Sequence, residues 1–320
     1  GGIGDLRTGQ LRVTDPERFQ DDPLRVYRAV QFVARMGLEI EPRSQALMRE
    51  MVERGDLEEL AEERIAEEWK KLLLKAPRPS LGLEALRDLG IIERSYPELQ
   101  ALIGVPQEPE WHPEGDVWIH TLMVLDAAAQ IVRRADWEGS PEETLSVLVG
   151  ALCHDLGKPA TTRFEEGRWR SRGHEEAGVK PAKRFLERVR FSKTIETCAS
   201  ASAAEHLKPG MLFRSLQQGT LDEAAYRNNV RRLLKRLGTV PWPVLLAVSE
   251  ADFRGRTLPG VATDPYLPGL TFAATVRRYQ LDTDGRKPLV QGRDLLALGM
   301  NPGPRMGELL KHIERLRDEG

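Results

Sequence analysis

The sequence, 320 residues long, predicts an all-α fold with three helical regions. Apolar residues recur at helical spacing along nearly all of the chain, and glycine and proline mark the joints between the periodic segments. The first helix is expected to begin at Asp22-Pro23, a capping acid followed by proline, and to end at Gly37. Its apolar stripe contains Leu24, Tyr27, Val30, Val33 and Ala34.

The remaining elements follow in chain order. Helices are expected near 43–53, 57–75 and 81–89, so that 22–105 forms the first helical region. A proline-containing linker over 104–115 leads to a second region, 112–256, with helices near 117–134, 142–155, 175–188, 192–206, 221–237 and 243–252.

One short β-hairpin is expected near 161–171, because Thr161–Phe164 and Arg168–Ser171 alternate around a turn that contains glycine. In the helical tail, 257–320, Gly299 should end one helix and Gly303-Pro304 should begin the next.

Composition argues against two classes of protein. No apolar run reaches the roughly 18 residues that cross a bilayer, so no membrane partner is expected and a cytoplasmic location follows by default. The two cysteines, Cys153 and Cys198, are too few for a disulfide framework in a chain of this length and are expected in the core.

The formal net charge of −2 hides local clusters of charge. Basic residues crowd 163–190, whereas the acidic residues of 56–68 should repel nucleic acid. In a second basic cluster, Arg227, Arg231 and Lys235 share one helix face. This face can follow a phosphate backbone, and a simply solvated helix face explains it equally well.

Histidine and aspartate residues are spaced like the ligands of a divalent metal site. His154 and Asp155 are adjacent, so they can bind one metal only where a helix ends, and Gly157 and Pro159 supply that end. A histidine within a half-buried helix, such as His120, is more often a core residue when taken alone. The full candidate set is His120, His154, Asp155, His174, His206 and Asp252. Such sites usually activate water for attack on phosphorus.

The other histidine positions are open to a plainer interpretation. Glu205-His206-Leu207-Lys208 could equally be a helix end that faces solvent. His112 and His312 have no partner in the pattern and are expected on a loop and on the surface.

The ligand series resembles that of the HD-domain metal-dependent phosphohydrolases over 112–256. The resemblance implies that Asp155 bridges two metals or holds one, and that His174 and His206 are the extra histidines of two-metal members. It also implies that Lys158 faces the substrate phosphate. The cofactor would be one or two ions of Mg²⁺, Mn²⁺ or Ni²⁺.

The segment 19–37 resembles the neck helix of the tRNA nucleotidyltransferase (CCA-adding) and bacterial poly(A) polymerase family. In that family an Asp-Pro-Leu-Arg-x-x-Arg stretch lines the nucleotide pocket. This implies that Asp22, Arg25 and Arg28 bind nucleotide, which would be ATP or CTP in the parent enzyme. An ordinary capped helix with a surface ion pair is the alternative. Gln31 stands where some members have arginine.

The catalytic head of that family is not recognised before the neck. Residues 1–21 resemble only a remnant of the head, with its last loop and strand, and Asp282-Thr283-Asp284 is expected to be a turn. Residues 291–310 resemble the C-terminal helices of the family. The chain is therefore expected to be a fragment that performs no nucleotidyl transfer alone.

The resulting hypothesis is a protein of tRNA 3′-end processing. Its HD domain would hydrolyse phosphomonoesters or 2′,3′-cyclic phosphodiesters through metal-activated water, with Asp155 and Lys158 as catalytic residues. The expected partners are nucleotides and tRNA or another RNA 3′ end. One alternative is a non-catalytic RNA-binding body with a structural or vacant metal site, and another is an autonomous HD hydrolase of a free nucleotide.

Overall fold

The computed structural model describes residues 2–261, 263–282 and 290–319. As predicted, the fold is helical. The first helices are α1 (Gly2–Arg7), α2 (Pro16–Gln20), α3 (Leu24–Met36), α4 (Pro42–Arg54), α5 (Glu62–Lys75), α6 (Ser80–Asp88), α7 (Ile91–Ser95) and α8 (Pro97–Gln100). They are followed by α9 (Val117–Ile131), α10 (Pro141–Cys153), α11 (Lys158–Thr161), α12 (His174–Ala177), α13 (Val179–Val189) and α14 (Lys193–Glu205). The last are α15 (Lys208–Gln217), α16 (Glu223–Leu237), α17 (Trp242–Arg254), α18 (Leu267–Tyr279), α19 (Gly292–Ala297) and α20 (Pro304–Glu319).

The predicted first helix is α3, and the local sequence explains both of its ends. Pro23, whose ring fixes φ near the helical value, immediately precedes the first turn. Gly37 ends the helix in the left-handed region at φ 64° and donates its N–H to the carbonyl oxygen of Val33. Between these ends the apolar stripe is buried in the core, as its spacing predicts.

Two short strand pairs interrupt the helices. β3 (Arg163–Glu165) and β4 (Arg168–Arg170) form the predicted hairpin, in which Phe164 lies opposite Trp169. β1 (Gln10–Leu11) pairs in parallel with β2 (Glu39–Ile40). This second pairing was not predicted, because parallel strands are joined by a long connection and leave no local signal in the sequence.

The residues before β1 form the helix α1, so the loop predicted at the start of the chain is wrong. Thr8 closes this helix, because its hydroxyl and its N–H both donate to the carbonyl oxygen of Gly4. Asp5 also pairs with Arg12 at 3.2 Å. The loop was expected from the resemblance of residues 1–21 to the end of a catalytic head, and Gly2 and Gly4 give no local signal for helix because glycine disfavours it by up to about 1 kcal/mol per residue.

Two other predicted helices differ from the structure in detail. The predicted helix 175–188 is divided into α12 and α13, with Gly178 between them at a close approach to Gly157. The predicted helix 57–75 begins instead with a 3₁₀ turn over Asp56–Glu59, and α5 follows it.

The end of the tail follows the prediction. Gly299, at φ 85°, follows α19, and α20 begins at Pro304. The turn expected at Asp282-Thr283-Asp284 lies partly outside the described residues. Within those residues, no helix combines the length and the apolar character that a bilayer crossing needs.

The chain divides into two compact units, Gly1–His206 with Pro243–Pro265 and Leu207–Trp242 with Tyr266–Gly320. In the first unit, the regions expected at 22–105 and 112–256 contribute to one hydrophobic cluster. Trp69, Tyr96 and Phe185 meet edge to face within this cluster, with ring centroids 5.1 to 6.1 Å apart. The compact units therefore divide the chain differently from the expected domains.

Candidate metal centre

Six buried side chains from five helical segments converge inside the first unit. α9 contributes one, the end of α10 and the turn after it contribute two, and α12, α14 and α17 contribute the others. They are His120, His154, Asp155, His174, His206 and Asp252, and none is more than 7% exposed. The structure thus brings together every residue of the predicted ligand set.

The turn after α10 lets two adjacent residues face the same point. α10 ends at Cys153, and α11 begins at Lys158, so Asp155 lies outside the regular helix. Gly157 allows the turn to pack against the chain at His174, where an added Cβ would lie 1.9 Å from the carbonyl oxygen of that residue. The predicted helix end is therefore present, and it is set by a close backbone approach.

The backbone orients the histidine rings. Nδ1 of His154 lies 2.7 Å from the carbonyl oxygen of Ala151, and Nδ1 of His174 lies 2.8 Å from that of Ser171. Nδ1 of His206 bonds to the carbonyl oxygen of Ala203 in the same way. Because a carbonyl only accepts, we assign the proton to Nδ1, which leaves Nε2 with a free lone pair in each ring.

Asp155 lies at the centre of the cluster. Its Oδ2 is 3.1 Å from Nε2 of His154 and 3.9 Å from Nε2 of His120, whereas its Oδ1 is 3.3 Å from Nε2 of His174. Asp252 Oδ1 lies 3.1 Å from Nε2 of His120. Two groups of potential ligands, each with its atoms within 4.8 Å, share Asp155: His120 with His154, and His174 with His206.

Several of these atoms have no hydrogen-bond partner. Within the described residues, this is true of Nε2 of His154, Nε2 of His174 and Oδ1 of Asp155, all of them buried, whereas Oδ2 of Asp155 forms an ion pair with Lys158. Such unsatisfied groups cost free energy unless a further group completes them. Imidazole nitrogen and carboxylate oxygen together suit a divalent transition metal. The donor set therefore fits the implied metal.

Electrostatics keep both aspartates ionised. Burial alone would raise the pKa of Asp155, but the neighbouring His154 and Lys158 outweigh burial and hold the pKa well below its usual value. Burial would likewise raise the pKa of Asp252, but Arg256 outweighs it and holds this pKa well below its usual value. Nη2 of Arg256 lies 2.9 Å from Oδ2 of Asp252. Burial lowers the pKa of His206 to about 4, so this ring is neutral and able to bind metal at pH 7.

Glu114, which was not predicted from the sequence, is a buried carboxylate that holds two histidines. Its Oε1 lies 2.9 Å from Nδ1 of His112 and 2.8 Å from Nδ1 of His120, and its side chain is 1% exposed. Burial would raise the pKa of Glu114, but the hydrogen bonds from the two rings outweigh it and lower the pKa. The expectation that His112 has no partner is therefore wrong. His312, in contrast, lies on the surface as expected.

A residue of the predicted linker also holds the side chain of Lys158 in place. Its Nζ lies 2.7 Å from Oδ2 of Asp155 and donates to Oε1 of Gln107 at 2.7 Å. Gln107 and Glu114 both belong to the segment 104–115, which contains no regular element but wraps the centre. A proline-containing loop gives no periodic signal, so neither contact was predictable from the sequence pattern.

The predicted nucleotide residues lie in the neck region, near a cavity of about 360 Å³. Arg25 and Arg28 line this cavity, together with Arg12, Arg18 and Phe32.

Asp22 does not line the neck cavity but pairs with Arg28, which does, and with a second arginine. Its carboxylate lies 3.2 Å from Nη2 of Arg64 and 3.6 Å from Nη1 of Arg28. Arg64 comes from α5, far along the chain, and was not predicted.

Ion pairs neutralise part of the basic cluster over 163–190. Arg168 pairs with Glu110 at 3.0 Å, Arg170 with Glu166 at 2.7 Å, and Arg188 with Glu98 at 3.3 Å.

The second basic cluster lies in the second unit. There Arg227 is half-buried, with its guanidinium carbon 5.1 Å from the ring centroid of Tyr279. Arg227 therefore packs against an aromatic ring and is only partly exposed on the surface.

Comparison with known proteins agrees with this arrangement. Residues 117–237 match the HD domain family, and residues 37–103 match the family described as the probable RNA and SrmB-binding site of polymerase A. A multifunctional CCA protein of Xanthomonas campestris pv. campestris (strain B100) is 36% identical over 316 residues, which cover 97% of this chain and 69% of that protein. A multifunctional CCA protein of Nitrosospira multiformis is 38% identical over 83% of this chain and 59% of its own length.

Solved structures share the fold. A CCA-adding enzyme in its apo form I has a TM-score of 0.55 at 16% identity, over 100% of this chain and 61% of its own. The Thermotoga maritima CCA-adding enzyme has a TM-score of 0.50 at 16% identity, over 97% of this chain and 60% of its own. The chain thus spans between about three fifths and two thirds of the length of these relatives. With this identity and coverage, the chain belongs to the tRNA nucleotidyltransferase (CCA-adding) family, whose neck and HD domain it contains.

Proposed function

We propose that the HD domain hydrolyses phosphomonoesters or 2′,3′-cyclic phosphodiesters with a divalent metal as cofactor. The observation that supports this most directly is the set of buried, unsatisfied donor atoms around Asp155. A carboxylate whose two oxygens face two different histidine groups is the arrangement expected of a ligand shared by two ions.

The residues would divide between two positions. His120, His154 and Asp252 lie on the Oδ2 side of Asp155, and His174 and His206 complete the other group. Mg²⁺, Mn²⁺ or Ni²⁺ bound there would act as a Lewis acid that activates water and neutralises phosphate charge. The rings of His154, His174 and His206 direct Nε2 inward, because their Nδ1 atoms are held by backbone carbonyls.

Lys158 is the substrate-facing cation in this proposal. Its ammonium is held between Asp155 and Gln107, and the residue is 8% exposed, so it lies at the edge of the buried centre. A fixed ammonium in this position can hold a phosphate oxygen and stabilise the charge that develops during hydrolysis.

The test is the substitution Asp155→Ala. It removes the shared carboxylate, so we expect loss of hydrolysis of 2′,3′-cyclic AMP and p-nitrophenyl phosphate at saturating Mn²⁺, Ni²⁺ or Mg²⁺, with an unchanged helical circular dichroism spectrum. The control is Asp136→Ala, at an exposed loop position. Hydrolysis retained by Asp155→Ala would overturn the proposal. If the unaltered chain binds tRNA with an affinity that falls steeply as the salt concentration rises, but hydrolyses no substrate, the RNA-binding alternative is favoured.

A second proposal concerns the neck cavity. We infer that Arg25 and Arg28, which line it, contact the nucleotide that a CCA-adding enzyme transfers to tRNA. An arginine can donate a bidentate hydrogen bond to a base or a phosphate. We expect Arg25→Ala to weaken CTP and ATP binding, measured by calorimetry, and unchanged binding would count against it.

A further inference from the structure

The hairpin β3–β4 carries a pair of aromatic rings, of which Phe164 is exposed and Trp169 half-buried. Phe164 is 61% exposed, and its ring meets that of Trp169 with a centroid distance of 5.0 Å and an interplanar angle of 62°. The two residues are directly opposite in the strand register, so both rings stand on one face of the ribbon. We call this face the hairpin platform. A single exposed apolar residue needs no explanation, but paired aromatic rings on a small ribbon form a surface suited to binding.

The hairpin is tied to the metal centre at both of its ends. The hydroxyl of Thr162 donates to the carbonyl oxygen of Lys158 at 2.8 Å, and the carbonyl oxygen of Ser171 lies 2.8 Å from Nδ1 of His174. The hydroxyls of Thr162 and Ser171 also bond to each other at 2.8 Å. Trp169 is only two residues, about 7 Å of strand, beyond Ser171. A ligand bound at the centre therefore has the hairpin platform within its reach.

The linker fixes the other edge of the hairpin. Oε2 of Glu108 accepts from the N–H of Trp169 at 3.0 Å, and Glu110 pairs with Arg168 at 3.0 Å. The next residue in the chain, Trp111, is 48% exposed. Because the ribbon is held at its base and along one strand, its rings are presented in a defined place.

Positive charge flanks the rings. Arg163 lies opposite Arg170 in the register, on the other face of the ribbon from the two rings, and Arg172 follows the second strand. Among the described residues, no carboxylate pairs with Arg163 or Arg172, whereas Arg170 is paired with Glu166. Aromatic rings next to arginines suit single-stranded nucleic acid, because a base can stack on the rings while the long arginine side chains reach phosphates along the edges of the ribbon.

We propose that the hairpin platform stacks a base of a single-stranded RNA end whose terminal phosphate enters the metal centre. This inference rests on the proposed hydrolytic function and adds to it a substrate class, an oligoribonucleotide rather than a free phosphomonoester. Arg163 and Arg172 would contact the phosphates of the same strand.

The test compares Phe164→Leu with Phe164→Trp, because leucine keeps the apolar bulk and removes the π-face that a base needs. The probe is a fluorescently labelled single-stranded oligoribonucleotide that ends in a 2′,3′-cyclic phosphate. Since stacking on an aromatic ring accounts for much of single-strand affinity, Phe164→Leu should raise its Kd and its KM about tenfold or more. Phe164→Trp should keep both values near those of the unaltered chain. Leu298→Ala, at an exposed tail position, is the control.

p-Nitrophenyl phosphate, a small phosphomonoester without a nucleobase, separates the two proposals. Phe164→Leu should hydrolyse this small substrate at a rate within about twofold of the unaltered chain, because the ring does not touch the donor set. Equal oligonucleotide affinity for Phe164→Leu and the unaltered chain would overturn the hairpin platform. If the unaltered chain hydrolyses neither the oligonucleotide nor the small substrate, the proposed hydrolytic function is wrong. A titration followed by the fluorescence anisotropy of the labelled oligonucleotide would still show whether the Phe164 ring binds RNA.

Discussion

At the scale of single residues, the centre is defined by buried charge. The carboxylates of Asp155, Asp252 and Glu114 are almost fully buried, and Lys158 and Arg256 lie beside the two aspartates at 2.7 and 2.9 Å. Buried carboxylates are costly unless they are paired, and a divalent cation binds more tightly where its ligands are already ionised. The residues outside the ligand set thus keep it in its metal-binding form.

Glu114 should matter for metal binding although it lies one step outside the ligand set. Its Oε1 bonds to two imidazole rings and its Oε2 accepts from the N–H of Thr257 at 3.3 Å, so every partner is a donor. The amide of a glutamine would turn one of these hydrogen bonds into a contact between two donors. We expect Glu114→Gln to weaken Mn²⁺ binding about 10- to 100-fold by isothermal titration calorimetry, as for other residues that orient a metal-binding histidine.

The control for this prediction is Glu138→Gln, which makes the same chemical change at an exposed loop position. It should leave the Mn²⁺ affinity unchanged. If Glu114→Gln and Glu138→Gln bind Mn²⁺ equally well, then the carboxylate does not orient His120.

The sequence predicted the ligands but not the residues that hold them. His154, Asp155 and Asp252 carry a recognisable motif order, because metal chemistry restricts which residue types can bind. Glu114 and Gln107 lie in an irregular loop, and any of several acids or amides there could have faced solvent instead. Their role depends on where the loop passes, which is a property of the tertiary structure.

At the scale of elements, the spacing of apolar residues predicted the long helices. It failed for short elements, where the local conformational preference of the residues competes with tertiary packing. α3 and the tail helices follow their caps, since Gly37 and Gly299 both adopt positive φ after the last turn. The β1–β2 pairing depends on contacts between residues far apart in the chain, such as the hydrogen bond from Glu39 N–H to the carbonyl oxygen of Gly9. No window of local sequence contains both partners of that bond.

The contact between the turn after α10 and the helix α12 leaves no room for a side chain. An alanine Cβ at Gly157 would lie 1.9 Å from the carbonyl oxygen of His174 and 2.5 Å from the nitrogen of Gly178, and both atoms are backbone. Gly157→Ala should therefore push α12 away from Asp155. We expect it to lower stability by at least about 1–3 kcal/mol, measured by thermal unfolding without metal, and to abolish Mn²⁺ binding.

Gly210→Ala is the matched substitution for Gly157→Ala. Nothing lies within 4 Å of the added Cβ at that position in α15, so this variant should be as stable as the unaltered chain or slightly more stable. If Gly157→Ala binds Mn²⁺ as tightly as the unaltered chain, then the turn after α10 does not approach α12 this closely.

At the scale of the whole molecule, the neck and the metal-bearing helices share a core rather than a flexible joint. Trp69 and Tyr96 come from the region 22–105, and both meet Phe185 of α13. Trp69 also donates its indole N–H to the hydroxyl of Tyr96 at 2.7 Å. An interface this buried couples the stability of the two regions, so they should unfold together.

Phe185→Ala tests this coupling from the HD side. The ring is fully buried, so its removal should destabilise the first unit by about 3–5 kcal/mol. If the two regions unfold together, amide hydrogen exchange should accelerate by a similar factor in α3 of the neck and in α10 of the HD domain. Lys183→Ala, on the exposed side of the same helix, should accelerate neither. Faster exchange confined to α10, with α3 unchanged, would mean that the neck folds independently despite the shared aromatic cluster.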